Sequence, residues 1–475
     1  MSSFEPLYTA AEMRAAEEAY PGYPDTMDEL MERAGRAVAE VVQKRFPKAR
    51  AVTVVCGAGS NGGDGRVAAL VLGDAGLDVR LVEAPRDDGA ETPELGAPDL
   101  VVDALFGTGF SGTPREAATR LIEAVNALDV PVVAVDVPSG VDASTGAVAG
   151  AAVRAQVTVT FAGRKVGQVV APGRFLCGEV IVVPIGLDAT GETALRRTLP
   201  EIVREVPLRA GETNKYSAGA VVVVGGSPGM TGAVCLAAEA ALRADAGYVS
   251  VVAPASSTPI LEVRLLEPVK RAAPEDAQGL LVPEALDLVV ELAKRARAVV
   301  LGPGIGRSDG VRALVRELLQ TLEAPVVVDA DALFGLVPEQ WRPPVVLTPH
   351  GGELARLLGA DTSRVDAHRL EAVRACAERF GCVALLKGAD TLIADPGGRV
   401  VVADHGPPSL ATAGTGDVLS GILGAFLAKG LEPALAAAAA ATAHGLAARR
   451  APHQPGLVAS DLLTLLPAVL AGAHP

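Results

Sequence analysis

The chain has 475 residues, 49% of them hydrophobic and 21% charged, which excludes a disordered polypeptide and exceeds a single ordinary core at on the order of 150 residues per domain. A formal charge of −14 repels phosphate backbones and anionic lipid, so no nucleic acid and no membrane is expected as a partner. Five scattered cysteines without a Cys-x-x-Cys pair, no basic and apolar leader, and an alanine-rich run at 434–443 well short of the roughly 20 apolar residues of a span together point to the cytoplasm.

Aromatic residues make up only 3%, so burial falls to Val, Leu, Ala and Ile, as in parallel strands covered by alanine-rich helices. From Asp25 to Phe46 the positions Met27, Leu30, Met31, Ala34, Val38, Val41 and Val42 recur at helical spacing. A strand follows at Ala51–Cys56, then a turn from Gly57 to Gly65 and a helix to about Gly73. Further strands are expected at Asp78–Val82, Leu100–Ala104, Val132–Val137, Val153–Phe161 and Val180–Pro184, the last two without a helix between them and at the sheet edge. The alternation lapses from about Leu187 to Glu212, which sets a domain boundary. It resumes with strands at Ala220–Val224, Val249–Val252, Ala298–Leu301, Val326–Asp329, Val345–Leu347 and Val383–Leu386. The expected fold is α/β in two domains, each a largely parallel sheet whose strand ends carry the ligand segments.

In the first half, the run Gly57-Ala58-Gly59-Ser60-Asn61-Gly62-Gly63-Asp64-Gly65 joins a strand to a helix without the Gly-Lys-Ser/Thr of a phosphate-binding P-loop. Asp103 to Gly109 and Asp136 to Gly140 place acids at two more strand ends. Oxygen donors from Asn61, Asp103 and Ser139 suit one hard cation, leaving Asp136 for proton transfer; each alone also reads as a cap or turn former. These three segments resemble the NAD(P)HX epimerase family, the YjeF N-terminal domain, over residues 1–208. The resemblance implies a Rossmann-like doubly wound sheet and interconversion of the R and S forms of hydrated NADH and NADPH at C6 of the nicotinamide ring. It further implies potassium (K+) on Asn61, Asp103 and Ser139. Substrate contacts would come from Ser60, Asn61, Gly62, Gly63 and Asp64, from Gly107, Thr108, Gly109, Phe110, Ser111, Gly112 and Thr113, and from Asp136. Ser60 stands where the family usually has asparagine.

In the second half, Gly225 to Ala233, Gly302 to Gly306 and Thr348 to Glu353 repeat the strand-end theme. Lys387-Gly388-Ala389-Asp390-Thr391 brings a cation suited to phosphate. Ala413-Gly414-Thr415-Gly416-Asp417 then runs into an apolar helix, where backbone amides neutralise an anion and the acid takes a hydroxyl proton; it reads equally as a tight turn with a capping acid. In this order the motifs resemble the ribokinase-like NAD(P)H-hydrate dehydratase, the YjeF C-terminal domain, over residues 213–475. The resemblance implies substrate contacts at Ala233, Gly306, His350 and Asp417, and nucleotide contacts at Lys387, Gly388, Ala389, Asp390, Thr391, Gly414, Thr415 and Gly416. Gly351 replaces a common proline, and Gly406 to Leu410 departs from a Gly-Asn-Pro-Gly-Met-like run.

Together the resemblances imply a bifunctional repair enzyme with Asp417 and Asp136 as catalytic acids or bases. Its small-molecule partners are the NADH and NADPH hydrates (NADHX and NADPHX) and ADP as co-substrate, with Mg2+ beside the nucleotide, and the chain is expected to be a homo-oligomer. The alternative is a ribokinase-superfamily small-molecule kinase with a fused non-catalytic binding module.

Overall fold

The computed structural model describes residues 2–189, 193–209 and 218–473; the expected start of the second domain at residue 213 lies outside them. The chain packs as two compact units, one of Pro6–Leu195 with Asp366–His368, the other of Met1–Glu5, Arg196–Val365 and Arg369–Pro475.

The first unit holds a six-stranded sheet in the order Asp78–Glu83, Ala51–Cys56, Leu100–Ala104, Val132–Val135, Val157–Phe161, Glu179–Val183, every pair parallel. Successive residues serve opposite cores. Val52, Val54, Leu100 and Val102 pack with Val38 and Val42 of the helix Met27–Arg45, while Val55 and Val101 pack with Leu121, Ile122 and Val125 of the helix Glu116–Ala127. That division of a period-two pattern between two helical layers is a doubly wound sheet. The strand Ala51–Cys56 lies between its two successors, so the chain reverses direction across the sheet there and a crevice opens beyond Cys56 and Ala104.

Three expectations for this half are corrected. The helix begins at Ser60, so the turn ends at Gly59 rather than Gly65. The strand expected to reach Val137 stops at Val135, because Asp136 adopts φ +66°. The run from Val153 becomes a strand only at Val157, while Val153 donates its N–H to the Ser139 carbonyl in a loop.

The second unit is built on an eleven-stranded sheet. Seven strands run parallel in the order Val269–Ala273, Tyr248–Pro254, Ala220–Val224, Ala298–Leu301, Val326–Val328, Val345–Leu347, Val383–Leu386. The antiparallel strands Thr391–Ala394 and Val400–Ala403 follow, then Leu195–Thr198 and Phe4–Pro6. The segment after Leu187, over which the alternation lapses, thus carries a strand and a 3-10 turn, Pro200–Glu205, whose Ile202 and Val203 are fully buried. Two arginines inside a four-residue strand hid it from a hydrophobic pattern. The residues just after Val326–Val328 and Val383–Leu386, Asp329 and Lys387, meet each other and Ser420 of the helix Thr415–Ala428.

Candidate functional sites

In the first unit a cleft of about 950 Å³ opens at the strand reversal, lined by Ser60, Asn61, Asp64, Gly107 to Ser111, Asp136 and Lys165 among others. Gly62 and Gly63 lie in the helix turn behind the lining, and Gly112 and Thr113 lie beyond it. A side chain at Gly62 would place its Cβ 1.9 Å from the Gly57 carbonyl oxygen, so the tight crossing of this loop dictates glycine. Phe106 stacks on Phe110 with ring centroids 4.8 Å apart, stiffening the opposite rim.

Asp136 is almost buried, and its backbone takes a left-handed conformation that costs a non-glycine residue. Its surroundings hold it there. Lys165 Nζ lies 2.7 Å from Oδ1, Thr160 Oγ1 donates to the same oxygen at 3.0 Å, and the Thr108 N–H donates to Oδ2 at 3.2 Å. Gln168 Nε2 donates to the Asp136 carbonyl at 2.7 Å. Sequence reasoning missed Lys165, which is 1% exposed, since it sits in an irregular segment outside any motif. A lysine buried in an otherwise apolar stretch is the signal that would have found it. Asp64 sits in the same cleft, and burial first, then the charges of Asp136 and Glu17, hold its carboxyl well above the usual range.

Below the cleft, Asp103 accepts the Ser139 hydroxyl at 2.6 Å and the Ser139 N–H at 2.8 Å, and Ser139 Oγ accepts the Phe106 N–H at 2.8 Å. Burial pushes Asp103 up to about 6 against these donors. Asn61 Nδ2 is buried without a hydrogen-bond partner, and a Cβ at Gly107 would come 2.9 Å from Asn61 Oδ1. A buried carboxylate, a hydroxyl and an unsatisfied amide whose rotation exchanges nitrogen for oxygen fit a hard monovalent cation.

In the second unit Asp417 lies in the first turn of the helix Thr415–Ala428, after Gly414 at φ +89°. The first amides of a helix have no partners within it, so this turn is a cradle for an anion. Thr415 Oγ1 donates to the Leu410 carbonyl at 2.9 Å, which ties the divergent Gly406 to Leu410 segment, with its 3-10 turn Pro408–Leu410, to the cradle. Burial and then Asp329 raise the Asp417 carboxyl to about 7, with Lys387 pulling the other way.

Lys387 is pinned. Its Nζ is 2.8 Å from Asp329 Oδ1 and 3.8 Å from Glu353 Oε2, while Ser420 Oγ donates to Asp329 Oδ2 at 2.6 Å. Asp329, which no sequence motif singled out, thus joins the cradle helix to the lysine; burial resists its ionisation, but Lys387 holds it below the usual carboxylate range. Gly302, at φ +126°, would place a Cβ 1.8 Å from the Asp329 carbonyl oxygen. Gly306 donates its N–H to Asp331 Oδ2 at 3.2 Å, and Ala233 sits in the first turn of the helix Thr231–Arg243, beside Gly304.

His350 caps the helix Gly351–Leu358, its Nδ1 accepting the N–H groups of Gly352 at 3.0 Å and Glu353 at 3.4 Å. Its ring remains exposed. Asp390 turns away from solvent into a buried ion pair with Arg369, Nε to Oδ1 3.0 Å, and Thr391 Oγ1 donates to the Gly388 carbonyl at 3.1 Å. The segment from Lys387 to Thr391 therefore has its aspartate committed to holding the loop's shape. Ala389 lies between these anchors.

Comparison with known proteins gives two family matches: NAD(P)H-hydrate dehydratase over residues 221–468, and YjeF-related protein N-terminus over 27–91 and 82–167. The chain is 38% identical to a bifunctional NAD(P)H-hydrate repair enzyme of Moorella thermoacetica, covering 98% of this chain and 96% of that one. It is 37% identical to the enzyme of the same description from Escherichia coli, over 93% and 89%. Among solved structures, the ADP/ATP-dependent NAD(P)H-hydrate dehydratase of Bacillus subtilis, co-crystallised with ATP and Mg2+, aligns with TM-score 0.51 at 28% identity, covering 58% of this chain and 98% of that one.

Proposed function

Because the chain belongs to the NAD(P)H-hydrate dehydratase family and carries the YjeF-related N-terminal domain, we propose that Asp417 and Asp136 move the protons of its two reactions. The protein is a bifunctional NAD(P)H-hydrate repair enzyme, an epimerase and a dehydratase in one chain. We assign epimerisation to residues 1–208 and dehydration to residues 213–475.

The observation that carries the dehydratase assignment is Asp417, raised to about 7 in the first turn of a helix, where backbone amides lack partners within the helix. In the reaction Asp417 takes the C6 hydroxyl proton as that oxygen attacks the terminal phosphorus of ADP, and the bond to the bridging oxygen breaks to release AMP. The new C6–O–phosphate bond then breaks with loss of the C5 proton, restoring the C5–C6 double bond and freeing phosphate. A poor leaving group has become a good one. Gly414, Thr415 and Gly416 hold the transferring phosphoryl group by backbone dipoles, and Lys387, with Gly388 to Thr391, lines the nucleotide side. Ala233, Gly306 and His350 orient the hydrated ring. Magnesium bound with the nucleotide would supply charge that offsets the phosphates.

At the first site, C6 bears both a hydroxyl and the ring nitrogen, so inverting it requires a proton to move on or off the C6 oxygen. Asp136, paired with Lys165 at 2.7 Å, is the group that moves it. Ser60 to Asp64 and Gly107 to Thr113 enclose the substrate. Potassium on Asn61, Asp103 and Ser139 would supply a fixed positive charge at the base of the loop. The protein works in the cytoplasm as a homo-oligomer, and among the described residues no helix is long and apolar enough to cross a membrane.

The test is a chromatographic assay of mixed NADPH-hydrate epimers with ADP, ATP or neither. The expected result is recovery of NADPH with AMP as the nucleotide product when ADP is supplied, and exchange of R and S forms without nucleotide. Hydrate left unchanged by either nucleotide with magnesium overturns the reading.

A further inference from the structure

Past Gly306 the second unit carries two adjoining hollows of about 250 and 140 Å³ whose walls share Arg307, Arg312 and Phe334. Gly306 and Asp331 line the first, where Asp331 Oδ2 accepts the Gly306 N–H at 3.2 Å, and Glu353, which lines the second, lies 3.8 Å from Lys387 Nζ. These hollows therefore adjoin the catalytic crevice.

Their chemistry differs from that of the crevice. Around Asp417 stand Asp329, Asp331 and Glu353, with Lys387 among them. A dinucleotide's own phosphates gain nothing by lying against such acids. Beyond Gly306 three guanidinium groups converge on the smaller hollow, from Arg307, Arg312 and Arg356, over an apolar wall that includes Leu333 and Leu357. Arg307 Nε is 2.7 Å from Asp331 Oδ1, and its guanidinium carbon lies 5.0 Å from the centre of the Phe334 ring. Arg312 pairs with Asp309. Arg356, on the exposed side of the helix Gly351–Leu358, makes no salt bridge among the described residues, so its charge is available to a ligand.

Phe334 is 39% exposed, a flat apolar surface already matched to a planar cation. An aromatic face, apolar walls and arginines suit a group that joins a purine to phosphate. We infer that these hollows receive the adenosine-phosphate half of the hydrated dinucleotide, with Arg356 binding the 2′-phosphate that distinguishes NADPH hydrate from NADH hydrate. The inference rests on the dehydratase reading of this unit and adds its substrate preference.

The test uses the full chain with Arg356→Gln and, as a second variant, Arg312→Gln, assayed with ADP and each S-hydrate separately. For R356Q the KM for NADPH hydrate should rise about tenfold, equivalent to about 1.4 kcal/mol, while that for NADH hydrate changes by less than about twofold. Calorimetric titration with NADP+ and NAD+ should show the same loss of discrimination. The kcat with NADH hydrate, turned over in the same unit, should persist and reports that this unit has folded. If R356Q fails that check, R312Q carries the test, with weakened binding of both hydrates expected. Equal shifts for the two hydrates in R356Q, or no shift in the variant that folds, overturn the assignment. Failure of the wild-type chain to dehydrate either substrate removes the dehydratase reading and this inference with it, whereas wild-type turnover with unaltered discrimination removes the inference alone.

Discussion

A carboxylate that accepts a proton near neutral pH needs an affinity above its ordinary value, and Asp417 is brought to about 7 by burial and by Asp329, with Lys387 restraining the rise. The Asp417→Asn variant should lose ADP-dependent NADPH recovery by about 10²- to 10⁴-fold while R and S exchange continues. In the wild type the acting form is the ionised one. Dehydratase kcat/KM should therefore climb with pH up to a bend near 7, read from a pH profile, and a flat profile from pH 5 to 9 would remove the assignment. At the other site Lys165→Met leaves Asp136 buried without its cation. Epimer exchange should collapse, and denaturant unfolding of that unit should show a loss of roughly 3–5 kcal/mol. The two carboxylates were readable as candidates because Asp136 opens a loop motif at a strand end and Asp417 closes a glycine-rich turn that runs into an apolar helix. Lys165 and Asp329 were not, since their roles arise from distant pairings, with Thr160 and Asp136 in one case and with Lys387 and Ser420 in the other.

At the scale of elements, apolar runs such as Ala51–Cys56, Ala220–Val224 and Ala298–Leu301 coincide with strands because parallel strands buried on both faces need uninterrupted Val and Leu. Elements at or next to a sheet edge were less legible. Val269–Ala273 contains Lys270 and Arg271, and Leu195–Thr198 contains Arg196 and Arg197, so their solvent-facing positions break the pattern. The strand-end glycines stand for different needs that sequence does not separate: Gly62 for a close crossing, Gly302 for both a left-handed backbone and a close approach. Gly302→Ala forces a Cβ against the Asp329 backbone. Thermal or denaturant unfolding should show a loss of roughly 2–4 kcal/mol, with dehydration reduced more than epimerisation because Asp329 anchors Lys387.

Over the whole molecule, the order of motifs revealed two activities, but not how the chain distributes itself between its compact bodies. The larger sheet takes its last two strands, Leu195–Thr198 and Phe4–Pro6, from sequence that precedes most of its own unit. Arg197 there bridges Glu5 at 3.0 Å and Asp404 at 2.8 Å. A fragment beginning at residue 213 should consequently elute as aggregate in size-exclusion chromatography, its Val400–Ala403 strand left as a bare edge without Leu195–Thr198, while one beginning at residue 194 should contain more monodisperse material. Gene fission offers no tidy scissor point: the polypeptide leaves one globule after five residues and comes back to it only at residue 196, so severing the enzymes means mending a torn hem.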